Sequence, residues 1–511
     1  MALLSGRGLP AHLIVLAAFT LLALAITAPL VTCLGTCLGE APDSIFTVWG
    51  FAWVARSLFG PEHLYDANLF HPYSGALALS EPSLSNGFLA APLIAATHNP
   101  LVGYNVILIV QYAVAAFGAY LVVWEVLGRR LPAIFSGVLF ATSSFLVHNA
   151  YNLQSFTVVC VPYLVVVAQR LLKAPSYRTA ALLWSIFLVL AVTSVYFTVY
   201  GGLSLLCFFA VVLLFKQHRL GLAHLQRVTF VAPPFLIALG LAYYPYWIWS
   251  RQHHETRSLS DVELYRAKLE NYGFVAPTNL VHRSLHWWST TGTTTSAAFP
   301  GIIASLLALL AVVGALRELR QSDAPSRARA VQGVAWAAFC AFSFVMAFGP
   351  TLRVGDLVLP LPYRLFFEIV PGMSALRTAN RFLGLVSLAV AVLAGFGLDR
   401  FSAWAARRVS PRFKLPLLGA ISTLGVAELV SYPYPGTVQT VAGNLGPDHL
   451  ALVEWLKAQP GKPSVVELPM RGELALYDAA LTGNRFVNGW SSFNPPLYDD
   501  LVEGLLPFPS G

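Results

Sequence analysis

The stretch Cys37–Gly60, CLGEAPDSIFTVWGFAWVARSLFG, places two carboxylates between two apolar segments. The apolar run before it, at about residues 10–32, is long enough to cross a bilayer, which needs roughly 20 apolar residues. The run after it, residues 45–59, has 15 residues and is interrupted by a glycine and an arginine. We therefore predict a short surface helix, half-embedded in the membrane, that holds Asp43 at the depth of the lipid headgroups.

The composition indicates a polytopic membrane protein. The chain has 511 residues, of which 57% are hydrophobic and 11% are charged, whereas soluble domains carry about 25% charged residues. Its mean hydropathy is +0.65. Eleven segments are predicted to span the membrane, at about residues 10–32, 103–127, 131–147, 156–172, 179–195, 197–215, 228–249, 298–316, 329–348, 382–398 and 415–431.

The connections between these spans differ in charge, and this difference predicts the orientation. With a cytoplasmic N-terminus, the inner segments hold 18 of the 32 basic residues and only 4 of the 24 acidic residues. An excess of Lys and Arg in short loops is typical of the cytoplasmic side. We therefore place the Cys37–Gly60 stretch outside. The net charge of +8 reflects this asymmetry, so we predict no nucleic-acid partner.

The outer segments differ from the inner ones in length and content. Two outer loops are long, at residues 33–102 and 250–297, and the transmembrane domain is predicted to occupy residues 1–431. Residues 432–511 read as a small extracytoplasmic α/β domain, with the helical DHLALVEWLKAQPG and PPLYDDLVEGLL and the extended PSVVELPM and RFVNGW. These strands are too few for an independent sheet. Either the domain is incomplete, or it packs on the membrane part.

The five cysteines allow one disulfide on the outer side. Cys33 and Cys37 are four residues apart, and they form either a disulfide or two unpaired thiols at the end of a helix. Cys160, Cys207 and Cys340 lie inside apolar segments and are expected to be small packing residues.

Several outer segments together resemble one superfamily. They are YDANLFHPYSGALALSEPSLSNG, NPLVGYNVILIVQY, SGVLFATSSFLVHNAYNLQS, PGMSALRTANRFLGLVSLAVAVLAGFG, VVELPM and FVNGWSSFNPP, in this order along nearly the whole chain. This pattern resembles a bacterial branch of the GT-C superfamily of membrane glycosyltransferases. The resemblance implies an all-α polytopic membrane protein of about eleven transmembrane helices. It also implies a hexosyl- or pentosyltransferase that uses a polyprenyl-phosphate sugar in the membrane lipid.

The resemblance also implies a place of action. The acceptor would be a glycan, a lipid or a protein on the outer face of the bacterial cytoplasmic (inner) membrane. Asp43 is the candidate base that deprotonates the acceptor hydroxyl. The alternative from the residues alone is that Asp43 caps the helix that follows.

A second outer carboxylate, Glu81, resembles an acidic position of the superfamily. It would position the acceptor or bind a metal, and otherwise it is a solvated loop residue. Many members carry a paired acidic motif where this chain has the single Asp43, flanked by Ala41, Pro42 and Ser44. Metal dependence is therefore open, with a divalent cation (Mg²⁺ or Mn²⁺) on Asp43 and Glu81 as one alternative and no cofactor as the other.

Arg377 and Arg381 are the candidate ligands of the donor phosphate. They lie four residues apart at the predicted start of a helix, where they would share one face, and guanidinium groups match phosphate geometry. Snorkelling to the membrane interface is the structural alternative. Asn380 between them would bond a sugar hydroxyl or cap the helix.

Two further polar features remain. The turn after the third span carries His148 and Gln154, with Asn149 and Asn152 between them, and these side chains contact substrate or form an ordinary polar turn. Glu428 lies within the last span, where a carboxylate is costly, and its nearness to the outer end predicts snorkelling.

Two other functions use the same features. A transporter or flippase of lipid-linked saccharides would need the groove but no chemistry, and a non-catalytic scaffold with the GT-C fold would need only the loops. Transporters often show inverted repeats and polar sites at the membrane midplane. This sequence shows no repeat, and its polar residues collect at the outer edge, which favours sugar transfer.

Overall fold

The computed structural model describes residues 9–39, 42–150, 152–217, 220–253, 257–275, 278–282, 297–320, 324–354, 356–432, 438–468, 470 and 472–505. The helices of the first half are α1 (Leu9–Ile26), α2 (Ala28–Val31), α3 (Pro42–Phe59), α4 (Leu84–Thr97), α5 (Pro100–Leu127), α6 (Arg130–Ala141), α7 (Ser144–His148), α8 (Cys160–Lys173), α9 (Tyr177–Thr193), α10 (Val195–Leu214) and α11 (Leu222–His253).

The second half continues with α12 (Leu259–Leu264), α13 (Ile302–Glu318), α14 (Ala324–Ala347), α15 (Tyr363–Ile369), α16 (Phe382–Arg408), α17 (Pro411–Ala427), α18 (Val441–Ala458), α19 (Gly472–Thr482) and α20 (Tyr498–Leu505). Much of the predicted outer loop 250–297, and residues 506–511 of the C-terminal domain, lie outside the described residues.

All eleven predicted spans coincide with helices. In the described chain, eight helical segments are long and apolar enough to cross a membrane: Leu9–Ile26, Pro100–Leu127, Arg130–His148, Ser155–Lys173, Val195–Leu214, Leu222–Arg251, Pro325–Ala347 and Ala379–Arg408. The helices α9, α13 and α17 coincide with the other three predictions and have 17 residues each. The chain is an integral, mostly helical membrane protein, as predicted.

Helix α16 lies at the centre of the bundle, and residues 382–399 of it are almost entirely buried. It packs most closely on α13, where a Cβ at Gly397 would overlap the carbonyl oxygen of Leu307. Small residues allow helices in membranes to approach in this way. Helix α11 is the opposite case, because it lies at the periphery with most of its surface exposed.

Ion pairs mark one end of the bundle. Arg129 pairs with Asp399 at 2.7 Å, and Arg170 pairs with Glu125 at 2.7 Å. Arg400 contacts Glu318 at 2.5 Å. Three of the four acidic residues of the predicted inner segments are thus neutralised by arginines of the same segments. The start of α16 lies at the other end, about 26 Å away at 1.5 Å per residue.

Three short strand pairs lie outside the helices. β1 (Cys37–Gly39) pairs antiparallel with β4 (Val438–Thr440), which joins the first outer loop to the segment after α17. β2 (Thr351–Val354) and β3 (Leu357–Pro360) form a hairpin, and β5 (Ser464–Val465) pairs parallel with β6 (Arg485–Phe486). A Cys33–Cys37 disulfide closes the turn before β1, which decides between the two alternatives for these cysteines.

The prediction of a half-embedded surface helix for α3 is wrong. Protein covers its sides, and Val48, Phe51 and Val54 are fully buried. The weak polar face, which suggested partial immersion in lipid, reflects a helix enclosed by other elements. At its C-terminal end, Arg56 donates hydrogen bonds to the carbonyl groups of Ala480 (3.1 Å) and Leu481 (3.2 Å), which are otherwise orphan acceptors at the end of α19.

The C-terminal segment packs on the first outer loop. One buried cluster combines Trp49 and Trp53 of α3 with Ala475 and Ala479 of α19 and Phe486 of β6. The two-residue strands of this segment match the expectation that its sheet is too small to stand alone. The two alternatives are an incomplete domain and a segment that packs on the membrane part. The described part of the segment packs on the rest of the protein, which agrees with the second. The division at residue 432 stays a prediction.

Candidate active site

A polar cavity of about 210 Å³ lies at the N-terminal end of α16, the end predicted to face outward. It is enclosed by the start of α3, the loop before α4, the turn before α8, the start of α10, the stretch before α16 and a C-terminal segment. Six of the seven predicted site residues line it: Asp43, Glu81, Gln154, Arg377, Asn380 and Arg381. These six residues come from four distant parts of the sequence and converge on one space.

Asp43 is the second residue of α3, so it lies inside the helix and not at the cap position. Its carboxylate oxygen Oδ2 accepts a hydrogen bond from Asn152 Nδ2 at 3.0 Å and is directed into the cavity. Burial raises the pKa of Asp43, while the nearby charge of Arg381 and the bond from Asn152 oppose this rise. The result is a carboxylate that is more basic than an exposed aspartate.

Glu81 joins two structural elements at the cavity wall. Its Oε1 accepts the backbone N–H of Val195 at 2.7 Å, at the N-terminal end of α10 where helix amides lack partners. Its Oε2 lies 3.5 Å from Arg381 Nη1 and accepts a hydrogen bond from Ser194 Oγ at 3.5 Å. Burial raises the pKa of Glu81, against the effect of Arg381. Glu81 is thus not a solvated loop residue, since its side chain is only 18% exposed.

Arg381 is held on three sides. Besides Glu81, its Nη2 donates to Gln154 Oε1 at 3.4 Å, and its guanidinium lies 3.9 Å from the centre of the Tyr196 ring. Gln154 in turn donates a hydrogen bond to the backbone oxygen of Glu81. These contacts, together with a side-chain exposure of 11%, exclude simple snorkelling for Arg381.

Arg377 lines the cavity, but not from the predicted helical face shared with Arg381. The two arginines do not share a helical face, because α16 begins only at Phe382 and residues 379–381 form a short 3-10 turn. The guanidinium of Arg377 lies 4.8 Å from the centre of the Tyr265 ring, and its backbone N–H donates to the Tyr196 hydroxyl at 3.3 Å. The backbone N–H of Asn380, which is buried, donates to the Tyr265 carbonyl at 3.1 Å.

The seventh predicted residue, His148, is not among the described residues that line the cavity. It ends α7, and its ring contacts Phe274 edge to face at 6.1 Å. The chain turns sharply after α7, so Asn149, Asn152 and Gln154 face the cavity. Sequence spacing could not distinguish these positions, because the segment is neither a helix nor a strand.

The sequence interpretation missed residues on three other parts of the wall. Tyr196 and Tyr265 hold the arginines, and Trp490, Ser491 and Ser492 close the cavity from the C-terminal side. The last three lie in FVNGWSSFNPP, which carried part of the resemblance. The resemblance therefore included this segment, but no function was predicted for its residues.

Glu428 lies away from this cavity and caps a helix. Its Oε2 accepts the backbone N–H groups of Ile302 at 2.6 Å and Ile303 at 3.2 Å, the first residues of α13. A carboxylate at a helix N-terminus is stabilising there. The snorkelling prediction is therefore replaced by a structural role.

The described residues provide little for a metal ion. They contain no group of three or more His, Cys, Asp and Glu side chains placed to bind one. Glu81 is already engaged by Arg381 and by a backbone amide. Asp43 lines the cavity and is bonded by Asn152, so within the described residues these two carboxylates alone do not make up a cation site.

Comparison with known proteins identifies the fold. No protein-family model and no curated protein matches the sequence. The archaeal oligosaccharyltransferase AglB from Archaeoglobus fulgidus, in complex with an inhibitory peptide and a dolichol-phosphate, matches with a TM-score of 0.51 and 12% identity, over 94% of this chain and 64% of that chain. The Archaeoglobus fulgidus oligosaccharyltransferase tethered with an acceptor peptide matches with a TM-score of 0.55 and 11% identity, over 97% and 68%.

A mycobacterial structure matches as well. The arabinofuranosyltransferase AftD from Mycobacteria has a TM-score of 0.50 and 15% identity, over 94% of this chain and 33% of that chain. The chain therefore spans about two thirds or less of the length of these structures. It shares its fold with these transferase structures, which is the kind of fold that the resemblance to the GT-C superfamily implied.

Proposed function

We propose that the protein transfers a sugar from a polyprenyl-phosphate donor to a hydroxyl group of an acceptor on the extracytoplasmic face of the membrane. The observation that carries this proposal is the meeting of a buried carboxylate, Asp43, with two arginines in one cavity at the outer end of the bundle. A base and a phosphate-binding pair are the two groups that this reaction requires.

The arginines hold the donor phosphate. Arg377 and Arg381 both border the cavity, and guanidinium groups donate paired hydrogen bonds to phosphate oxygens. Glu81 and Gln154 are positioning residues, because they fix the guanidinium of Arg381 without needing to touch the donor. The Tyr196 ring supports the same group from its face.

Asp43 is the base of a single displacement. The acceptor hydroxyl gives its proton to the Asp43 carboxylate while its oxygen forms a bond to the anomeric carbon. The bond from that carbon to the phosphate oxygen breaks, and its electron pair stays with the phosphate, which leaves as polyprenyl phosphate. The raised pKa of Asp43 suits this role, because a more basic carboxylate accepts a proton more readily.

A divalent cation, Mg²⁺ or Mn²⁺, stays a prediction. Asp43 would hold it together with donor phosphate oxygens, and the cation would neutralise charge on the leaving phosphate. The arginines already supply positive charge at this place, so we derive no step through a metal. Transfer activity in EDTA, with and without added Mg²⁺ or Mn²⁺, tests the point.

The structural matches support the donor class. One of them contains dolichol-phosphate, and another is named an arabinofuranosyltransferase. A lipid-linked donor and a hexosyl or pentosyl group are thus compatible with this fold. The acceptor is proposed to be a glycan, a lipid or a protein at the same membrane surface.

The proposed location is the bacterial cytoplasmic membrane, with the N-terminus inside and the C-terminal segment outside. The end of the bundle with the arginine ion pairs fits the cytoplasmic side. The Cys33–Cys37 disulfide lies at the cavity end, and disulfides persist in oxidising compartments.

Transport or flipping of lipid-linked saccharides is not favoured. The charged groups of the cavity lie at the outer end of α16 rather than at the middle of the bundle, where transporters bind substrate. A cavity at one surface suits a reaction there.

The test is transfer in proteoliposomes from radiolabelled polyprenyl-phosphate mannose, glucose and arabinose to a cell-envelope extract. Labelled product that depends on the protein supports the proposal. Movement of the labelled lipid across the bilayer without any new glycosidic product would support the transport function instead.

A further inference from the structure

The hairpin of β2 and β3 has one apolar face. Its register places Leu352 opposite Leu359, and Arg353 opposite Val358. Residues directly opposite each other in a hairpin lie on the same face, and so do alternate residues of one strand. Leu352, Leu357 and Leu359 therefore lie together on one face. Arg353 and Val358 lie on the other, so the hairpin is amphipathic.

The apolar face is open to its surroundings. Leu357 is 57% exposed and Leu359 is 41% exposed. The next helix, α15, adds Leu365 and Ile369, which are also exposed, while Tyr363 of the same helix is fully buried. One side of α15 thus packs on the bundle and the other carries bare apolar side chains. A group of exposed apolar side chains of this kind marks a surface that contacts a membrane or another protein.

A membrane span leads directly into the hairpin. β2 begins four residues after Ala347, where α14 ends, and four residues reach at most about 14 Å. Phe344, in the last turn of α14, is exposed and so borders lipid. Gly349 lies next to Ala379, shortly before α16 begins. The hairpin therefore starts within reach of the lipid headgroups, at the same end of the bundle as the cavity.

The backbone limits how deep the hairpin can lie. In the described chain β2 and β3 pair only with each other, so each strand has one edge without a partner strand. Unpaired backbone groups are costly in hydrocarbon. At the boundary between headgroups and acyl chains, water reaches these edges while apolar side chains enter the lipid. Arg353, on the opposite face, is exposed and keeps its charge on the aqueous side of this boundary.

We propose that the apolar face of the β2–β3 hairpin lies on the acyl chains of the adjacent lipid leaflet and anchors the loop that follows it. The partner is the phospholipid bilayer itself, bound through apolar contact. Arg377 lies eight residues after Ile369, the last residue of α15, so the anchor sets the depth of the two arginines. This consequence for the donor phosphate rests on the proposed function, whereas the lipid contact does not.

Two neighbouring positions on opposite faces test the lipid contact. Leu359→Cys and Val358→Cys are labelled with a nitroxide and reconstituted in liposomes of phosphatidylethanolamine and phosphatidylglycerol. Power-saturation EPR then measures how often each label collides with oxygen, which concentrates in lipid, and with a water-soluble nickel chelate. The ratio of oxygen to nickel collisions should be several times higher for Leu359→Cys than for Val358→Cys. Wild type, labelled in parallel, gives the background of the free cysteines.

Two EPR results would overturn the lipid contact. Frequent nickel collisions of the Leu359→Cys label, equal to those of the Val358→Cys label, would place the apolar face in water. Rare collisions with both reagents would show that protein covers this face. Dipolar broadening between the labels would then identify a second copy as the cover.

The anchoring effect is measured separately, by sugar transfer in proteoliposomes. Leu359→Glu should raise the KM for a polyprenyl-phosphate donor roughly tenfold, since apolar burial of one side chain is lost, and kcat should be retained. Val358→Glu, on the other face, is the matched control and should change KM little. Equal KM values for the two variants would overturn the anchoring role. If wild type transfers no sugar, the proposed function fails, while the EPR ratio still decides the lipid contact.

Discussion

Asp43 and Asn152 are 109 residues apart in sequence, yet a 3.0 Å hydrogen bond joins the Asp43 carboxylate to the Asn152 amide. The bond connects the start of α3 to the turn before α8. It holds the carboxylate toward the cavity and opposes the effect of burial on its pKa. A side chain that served only its own helix would not need such a partner.

Replacing Asp43 tests the base directly. Asp43→Asn keeps the size of the side chain but cannot accept the proton, so transfer should fall by roughly 10²–10⁴-fold. Donor KM should change little, because the arginines are intact. Radiolabel transfer in proteoliposomes measures both. Asp66→Asn, in the same outer loop, is the control and should retain activity, since Asp66 bonds the Gly75 amide away from the cavity. Equal activity of the Asp43 variant and wild type would remove this residue from the mechanism.

The pH profile depends on Asn152. Burial raises the pKa of Asp43, and the base works only when deprotonated, so the rate should fall as pH drops through this raised pKa. In Asn152→Ala a bond that lowers the pKa is lost, and the acid limb of the profile should move to higher pH. Asn149→Ala should leave the limb in place, because its amide bonds the Phe145 carbonyl instead. A limb that stays unmoved in Asn152→Ala would argue against Asp43 as the titrating group.

The two arginines should differ in their effect on stability. Arg381→Ala leaves the Glu81 carboxylate without its cation, which should cost about 3 kcal/mol. Arg377→Ala removes a guanidinium whose described contact is an aromatic face, so it should mainly raise donor KM. Thermal unfolding in detergent measures the loss of stability, and titration with the donor measures the change in KM. Adding Glu81→Gln to Arg381→Ala should recover part of the stability, and a double variant no more stable than the single one would refute the pairing.

Glu428 should matter for stability and not for chemistry. Glu428→Ala removes the acceptor of two amides at the start of α13, and loss of a cap costs about 1 kcal/mol. The unfolding temperature should drop while kcat is retained. Glu454→Ala, on the exposed side of α18, is the matched control and should change neither quantity. A large loss of kcat in the Glu428 variant would place this residue in the reaction.

The orientation can be measured by labelling. Two single-cysteine substitutions serve this purpose. Ser74 lies on the cavity side of the bundle, and Ser410 lies between α16 and α17 at the opposite end, so Ser74→Cys and Ser410→Cys report on the two sides. In intact cells, a membrane-impermeant maleimide should label the first variant and reach the second only after lysis. The unsubstituted protein, with its free cysteines inside helices, gives the background. The reverse labelling pattern would invert the proposed topology.

The sequence predicted the membrane architecture well, because hydrocarbon imposes a strong constraint on each segment alone. Apolar length identified all eight segments that are long and apolar enough to cross a membrane, and the three other predicted spans coincide with the 17-residue helices α9, α13 and α17. Backbone groups in lipid must be paired within a helix, so local composition decides the element. The same logic failed for α3, since an apolar helix enclosed by protein and one lying in lipid have the same composition.

The candidate site was predictable only in part. Asp43, Glu81 and the arginines could be named from chemistry and resemblance, but the face each presents depends on irregular backbone. Arg377 and Arg381 converge through a 3-10 turn and an extended stretch, which no helical spacing describes. The capping role of Glu428 could not be predicted either. The amides that it accepts lie 125 and 126 residues away in the sequence, so no local pattern indicates them.

The contact of α3 with α19 also constrains how the protein is made. Asn68 bonds backbone groups 411 and 416 residues later, so the first outer loop cannot complete its core until the end of the chain has been translated. At roughly 5–20 residues per second, about 400 residues require roughly 20–80 s of synthesis. During this interval Trp49 and Trp53 of α3 lack the α19 side chains that share their buried cluster in the finished protein. The part of the protein around Asn68 is therefore completed only after α19 and the residues that follow it have been synthesised.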